Sequence, residues 1–297
     1  MMQSMELPLF KRADFWEESW QEERRQSLYG RRRPDRDGTG YWNRRAGHFA
    51  RQTGGEEGKQ RVARILHWLG HHGGLDRDLE ILDIGCGTGN YALPLARRAR
   101  RVVALDPAEE MLAILKERAG EEGITNIEPV QMTWEEVDLD KQGWRGSFDL
   151  VLAFMSPGIK DASTLRKMIA ASRGACFLAG HLRQEISGRK ELWQQLIGGE
   201  MPGIPADVLY IFHLLYAWGY NPSLELEQWV STRELEPDQA IEEMEIFFYP
   251  HLELTPAVRR AIVDYVQGHL VNGRYLSRRE MTAGYLFWSV NLQALCQ

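Results

Sequence analysis

The sequence predicts an α/β protein with a doubly wound, mostly parallel sheet of seven strands, N-terminal helices and late helical insertions. Between residues 79 and 181, apolar stretches of strand length alternate with amphipathic stretches of helix length. The apolar stretches are continuous, which is typical of parallel strands that are covered on both faces. The chain of 297 residues, 43% of them hydrophobic, is long enough to bury a core without disulfides or metals.

The first 77 residues are predicted to form a helical extension that acts as a lid. Helices are expected at 13–29, 41–52 and 59–72, where apolar side chains recur at helical spacing. Residues 78–297 are then predicted to form the sheet domain.

Five strands are expected in the first part of this domain, followed by two more near its end. The predicted strands are 79–85, 101–106, 127–132, 148–154, 175–181, 224–235 and 284–290. The predicted helices between the first five are 91–99, 109–122, a short one before residue 148, and 162–173. Helical insertions are expected at about 183–222 and 236–283.

Composition excludes several classes of protein. No apolar run reaches the ~20 residues that cross a bilayer, and the N-terminus lacks the pattern of a signal peptide. The three cysteines, Cys86, Cys176 and Cys296, form no CxxC pair, so reduced thiols, a cytoplasmic location and no membrane partner are expected. The net charge of −6 comes from an acidic body that follows a mildly basic N-terminal part.

A glycine loop between the first predicted strand and the next helix is the most informative motif. Gly85, Gly87 and Gly89 lie where a loop without side chains lets backbone N–H groups approach a ligand at a helix N-terminus. Asp106 ends the next strand, where its carboxylate can accept hydrogen bonds from both hydroxyls of a ribose. The pattern therefore predicts a site for a nucleoside.

Two residues argue against a dinucleotide at this site. Asn90 stands where the dinucleotide fingerprint has its third glycine, and Asp83 would place an anion beside a pyrophosphate. A cationic nucleoside that carries an amino acid fits this loop better.

With these motifs, residues 78–182 resemble the class I S-adenosylmethionine (SAM)-dependent methyltransferases, which have a Rossmann-like sheet. The resemblance implies that SAM is the cofactor and S-adenosylhomocysteine (SAH) the product. It implies that Asp83 and the loop 85–89 hold the methionine end, that Asp106 binds the ribose, and that Pro107 lies against the adenine. The cofactor contacts implied in this way are Asp83, Gly85, Cys86, Gly87, Gly89, Asp106, Pro107, Thr133, Trp134 and Phe154.

The last three of these contacts depart from the family's pattern or have an alternative. Thr133 stands where many members have an acid that binds the adenine amino group, so Trp134 and a backbone group are expected to share that role. Phe154 is expected to face the sulfonium and adenosine, with plain core packing as the alternative. The residues after Phe154 match neither the motif for methylation of amino groups on bases nor a Pro-Cys nucleophile motif.

Candidate acceptor residues lie outside the glycine loop. His181 ends the fifth strand, where a neutral imidazole could take a proton from the acceptor; packing is the alternative. Other predicted acceptor contacts are Tyr41 and Trp42 in the lid, and Tyr210, His213 and Tyr216 in the first insertion, although their helical spacing also fits core packing.

The remaining signals favour neither a metal nor a nucleic acid. His67 and His71 have a zinc-like spacing but no third ligand, so no metal is predicted. The basic segment 31–45 could bind RNA phosphates, but its interleaved acids and the acidic body favour a solvated loop.

The predicted function is methyl transfer from SAM to a small-molecule acceptor by in-line displacement. One alternative is an RNA methyltransferase that uses the basic segment 31–45. A second is a SAM-binding regulatory protein without turnover. The sequence indicates neither the acceptor nor the oligomeric state.

Overall fold

One mixed sheet organises the fold in a computed structural model of the chain, which describes residues 8–36, 38–72 and 78–291. The strands are β1 (Glu80–Ile84), β2 (Arg101–Leu105), β3 (Ile127–Val130), β4 (Phe148–Phe154), β5 (Ser172–Ile186), β6 (Ser223–Leu235), β7 (Leu270–Val271) and β8 (Arg274–Ser289). Their order is β3-β2-β1-β4-β5-β8-β6, and the two-residue strand β7 pairs with β8. The predicted doubly wound α/β sheet is confirmed, with β7 added to the seven predicted strands.

The direction of the strands places the ligand-binding edge. Strands β1 to β5 run parallel, while β8 is antiparallel to both β5 and β6. The chain order reverses on either side of β1, and in such sheets ligands bind beyond the carboxyl ends of the strands at this reversal.

Helices cover both faces of the sheet. They are α1 (Ala13–Gln26), α2 (Thr39–Thr53), α3 (Glu56–His71), α4 (Ala92–Ala96), α5 (Glu109–Glu121), α6 (Ala162–Ala171), α7 (Arg189–Leu196), α8 (Asp207–Ala217), α9 (Pro237–Phe248) and α10 (Pro256–Gly268). None of the described helices is long and apolar enough to cross a membrane. The short helix predicted before residue 148 does not form. Turns replace it, and the Lys167 ammonium group donates to three carbonyl oxygens of that segment at 2.9–3.0 Å.

Each face of the sheet has its own apolar core. On the first face, side chains such as Leu150 and Phe177 pack against α3, α4 and α5. On the second face, α6 and α8 pack on the sheet, and α1 packs on α8. Trp20 of α1 is fully buried there, and its indole N–H donates to the Asp207 carboxylate at 2.6 Å. Burial of both sheet faces explains the continuous apolar strands in the sequence.

Strands β5, β6 and β8 continue past the edge of the parallel sheet as a three-stranded ribbon. The predicted insertions are therefore wrong at two places, since 183–186 and 274–283 are strand. Helices α7, α9 and α10 pack around the end of this ribbon, where Trp193, Phe248 and Tyr275 share a third apolar cluster.

Candidate functional site

The glycine loop follows β1 in a shape that requires glycine. Gly85, Gly87 and Gly89 have φ angles of +73°, +54° and +82°. A Cβ atom at Gly85 would lie 2.9 Å from the Ser156 Cβ and collide with its hydroxyl. The loop is held to β2, because the N–H groups of Gly85 and Cys86 both donate to the Leu105 carbonyl, at 2.7 and 3.0 Å.

Asp106 braces the same loop from the end of β2. Its two carboxylate oxygens accept hydrogen bonds from the N–H of Gly87 at 2.9 Å and of Ala108 at 2.8 Å. Burial raises the pKa of this carboxyl, and the two backbone donors oppose that rise. Each oxygen has acceptor capacity left for a ligand hydroxyl.

Asp83 adds a second buried acid to the site. It is 2% exposed on β1, and burial together with the charge of Asp106 raises its pKa to about 7. A positively charged ligand group would favour the ionised form of this carboxyl. The acid pair therefore fits a cationic nucleoside such as SAM, as the sequence predicts.

Helix α2 lies over the loop. Its Phe49 ring is 3.6 Å from the position of a Cβ on Gly87, and Trp42 and Phe49 pack against Met111 of α5. Asn90 connects these elements, since its amide donates to the Thr53 hydroxyl at 2.8 Å. This hydrogen bond could not be predicted from the sequence, because its two partners lie 37 residues apart.

The structure changes the expected adenine contacts. Trp134 is 2% exposed in the second-face core, and its indole N–H donates to the Thr164 carbonyl at 3.0 Å. It is therefore a core residue, and its prediction as an adenine contact is wrong. Thr133 binds the Glu136 carboxylate with its hydroxyl at 2.7 Å, so an acid that the sequence reasoning missed lies at this position. The half-buried Pro107 stays a predicted contact.

His181 and Phe154 face the same side of the sheet as α3. Phe154 packs against Tyr91 and Phe177, with ring centroids at 3.8 and 6.2 Å. The His181 Nδ1 atom is buried without a hydrogen-bond partner among the described residues. Burial and the nearby Arg61 charge lower the pKa of His181 to about 4, so the imidazole is neutral near pH 7.

Three predicted acceptor residues lie elsewhere. The rings of Tyr210 and His213 pack against Trp16 of α1, with centroids at 6.4 and 4.0 Å, and Tyr216 lies beside Phe10. These contacts are on the second face, opposite His181, so the structure does not bring the three residues together with His181, and their role as acceptor contacts stays a prediction. Their pattern reflects the packing of α8 on α1.

The lid residues and the histidine pair complete the predicted set. Tyr41 is buried and its hydroxyl oxygen accepts a hydrogen bond from the Arg45 guanidinium, whereas Trp42 belongs to the contact between α2 and α5. The Nε2 atoms of His67 and His71 lie 3.0 Å apart. The described part of the chain contains no group of three metal-ligating side chains, and the absence of a metal stays a prediction.

The strand order, the glycine loop and Asp106 together define a class I SAM-dependent methyltransferase domain. Residues 81–175 match the model of a family described as a methyltransferase domain.

Two curated relatives are 23S rRNA (uracil(1939)-C(5))-methyltransferases. The one from Shewanella amazonensis is 35% identical over 101 residues, which is 34% of this chain and 22% of that protein. The one from Aeromonas salmonicida is 38% identical over 102 residues, with the same two shares. This chain thus matches about a fifth of the length of these relatives.

A solved structure extends the likeness in fold. The structure of a Bacillus halodurans protein that is provisionally described as a methyltransferase superposes on this chain with a TM-score of 0.51 and 16% sequence identity. The match covers 77% of this chain and 98% of that one. It supports the fold for most of the chain and says nothing of the acceptor.

Proposed function

We propose that this protein transfers the methyl group of SAM to a small-molecule acceptor. The observation that supports SAM as the methyl donor is the buried acid pair, Asp83 and Asp106, at the glycine loop. When bound, SAM supplies an electrophilic methyl group on a sulfonium. Asp106 would accept hydrogen bonds from the ribose hydroxyls, Asp83 would pair with the cationic amino acid end, and the loop backbone would donate to its carboxylate.

The acid pair predicts how the affinity for SAM depends on pH. With a pKa of about 7, Asp83 is mostly protonated in the free protein at pH 5.5, and its ionisation would have to accompany binding. We expect SAM to bind more than about tenfold less tightly at pH 5.5 than at pH 7, measured by calorimetry. Asp83→Asn should bind weakly at both pH values with little difference between them. An equal pH dependence in this variant would contradict the assignment.

The same pKa has a consequence for stability without ligand. Folding raises the pKa of Asp83 from 3.8 to about 7. At a pH between these two values, folding is therefore accompanied by the uptake of a proton. Its contribution to the free energy of unfolding therefore falls as the pH rises from about 4 to about 7. Ligand binding should offset this loss, because the ligand's positive charge favours the ionised carboxyl.

His181 is proposed to accept the proton of the attacking group. Its neutral imidazole, its unpartnered Nδ1 and its position on β5 just beyond the last residue paired with β4, Ala179, support this role; β5 itself continues to Ile186, so the prediction that His181 ends the strand is wrong. His181→Gln should lower turnover by about 100-fold while SAM affinity stays within a few-fold, since general bases contribute roughly 10²–10⁴. Turnover of labelled SAM with a panel of metabolites supplies the assay. A parallel loss of SAM affinity would assign His181 to packing instead.

An RNA acceptor is the alternative that the two rRNA methyltransferases favour. Against it, several arginines of the segment 31–45 are engaged within the chain: Arg33 pairs with Asp35 at 3.1 Å, and Arg36 donates to the Leu252 carbonyl at 3.1 Å. The described residues of the segment form short 3₁₀ turns and the start of α2, and Arg33, Pro34 and Asp35 are exposed to solvent. Binding of RNA that weakens steeply with salt would support the alternative.

The chemistry of the described cysteines also bears on the acceptor. Cys86 and Cys176 are both buried, and burial raises the pKa of each thiol. Neither is an available thiolate nucleophile for attack on a base. Formation of SAH distinguishes a methyltransferase from a SAM-binding regulatory protein. Only the enzyme would convert SAM to SAH in the presence of an acceptor.

A further inference from the structure

A cluster of arginines lies on the first face of the sheet, beyond His181. Arg279 of β8 and Arg233 of β6 are on the ribbon, Arg189 begins α7, and Arg45 is on α2. We call these four residues, together with Glu243 of α9, the arginine pocket.

The strand register connects the arginine pocket to the proposed base. His181 pairs with Ala283 of β8, and Arg279 lies four residues before Ala283 on the same strand. Side chains an even number of residues apart lie on one face, so His181 and Arg279 share a face, roughly 14 Å apart along the strand. An elongated small molecule could therefore reach both.

The arginine pocket holds more positive charge than its acid balances. The Glu243 side chain is 10% exposed and pairs with Arg279 at 2.5 Å and Arg233 at 3.1 Å. The neighbouring Glu242 lies instead against His48 and Arg51, at 3.6 and 3.8 Å. Within the arginine pocket as defined, four guanidinium groups thus accompany one carboxylate, which pairs with two of them.

The other two arginines have no acidic partner within the described ranges. Arg189 donates to the Gln184 side-chain oxygen at 3.4 Å and stacks over the Phe247 ring at 4.2 Å. Burial and the charge of Arg279 lower the pKa of Arg189 to about 9. Arg45 contacts the Tyr41 hydroxyl, but its Nε is buried without a hydrogen-bond partner.

Such a cluster of half-buried guanidinium groups is unfavourable without an anion, because like charges repel and partly desolvated charges need partners. Guanidinium groups bind carboxylates and phosphates through paired, charge-assisted hydrogen bonds. We propose that the arginine pocket binds a carboxylate or phosphate group of the methyl acceptor. The assignment of this anion to the methyl acceptor rests on the proposed function. The existence of the anion site does not depend on it.

Arg189→Met tests the anion site, with Arg278→Gln as the matched control. Arg278 lies on the same ribbon, but its side chain is 59% exposed and pairs with Glu280. The probes are inorganic phosphate and succinate, each compared with chloride at constant ionic strength, by thermal unfolding and calorimetry of the full chain. In the wild type we expect either anion to raise the unfolding temperature saturably. Arg189→Met should weaken this binding at least about tenfold, whereas Arg278→Gln should not.

Stability in chloride gives a second readout that a merely structural role would not reproduce. Removing a half-buried charge that has no acidic partner among the described residues should raise the unfolding temperature of Arg189→Met. Glu243→Gln should lower it by increasing the positive charge, and phosphate should restore it. Lower stability of Arg189→Met in chloride, together with an unchanged response to phosphate, would overturn the proposal.

Further outcomes separate the site from the proposed function. No saturable effect of phosphate or succinate on the wild type, or equal losses in both arginine variants, would overturn the anion site. Displacement of phosphate by a short single-stranded RNA would overturn a small-molecule acceptor. The affinity for SAM, measured on the same proteins, tests the proposed function independently. If the wild type did not bind SAM, the proposed function would be refuted, but the evidence for the anion site would be unaffected.

Discussion

Asp106→Ala is expected to weaken the binding of both SAM and SAH by at least about 100-fold. The variant removes the acceptors of two ribose hydroxyls, and hydrogen bonds to a charged group contribute roughly 1.5–3 kcal/mol each. It also removes the oxygens that hold the N–H groups of Gly87 and Ala108. The loop would then lose its brace as well as the ligand contact. Calorimetry with both ligands measures the effect.

The control for this variant keeps the shape of the side chain. Asp106→Asn retains one oxygen acceptor and should bind more tightly than the alanine variant but less tightly than wild type. Unchanged SAM affinity in Asp106→Ala would remove this residue from the site.

Gly85→Val is expected to cost the fold about 3–5 kcal/mol of unfolding free energy. The φ angle of +73° is unfavourable for any side chain and worst for a β-branched one. The new Cβ would also collide with Ser156, which lies two residues after the end of β4. Urea denaturation followed by circular dichroism measures the loss.

Gly87→Ala is the matched variant within the same loop. Its φ of +54° is also left-handed, but its Cβ would meet only Phe49 at 3.6 Å and Met111 at 4.0 Å, which is ordinary contact. Its cost should stay near 1–2 kcal/mol, the penalty of the backbone conformation alone. Equal destabilisation by the two substitutions would show that the contact with Ser156 does not matter.

Local pattern was enough for the parallel half of the sheet and for the cofactor loop. Strands β1 and β4 are buried on both faces, so their apolar runs stand out in the sequence. The glycine loop and Asp106 lie within 22 residues and serve one ligand, so spacing alone indicated their role. The methyltransferase domain could therefore be identified before any coordinates.

The ends of the ribbon were not predictable in this way. Residues 278–280 of β8, Arg-Arg-Glu, are polar, and the strand there is held by backbone hydrogen bonds that any sequence can make. Trp134 shows the same limit for a single side chain. Its position after β3 suggested a ligand contact, while its buried environment comes from α6, thirty residues later in the chain.

The sequence by itself determined the fold class, the positions of its first five strands along the chain and the cofactor loop, because each depends on neighbours along the chain. Only the tertiary structure decided which helix faces meet: α8 turns Tyr210 and His213 toward α1, although helical spacing fits a pocket equally well. It alone brought Arg45, Arg189 and Arg279 together. Those residues come from three distant elements, and a charge cluster assembled by packing leaves no local pattern.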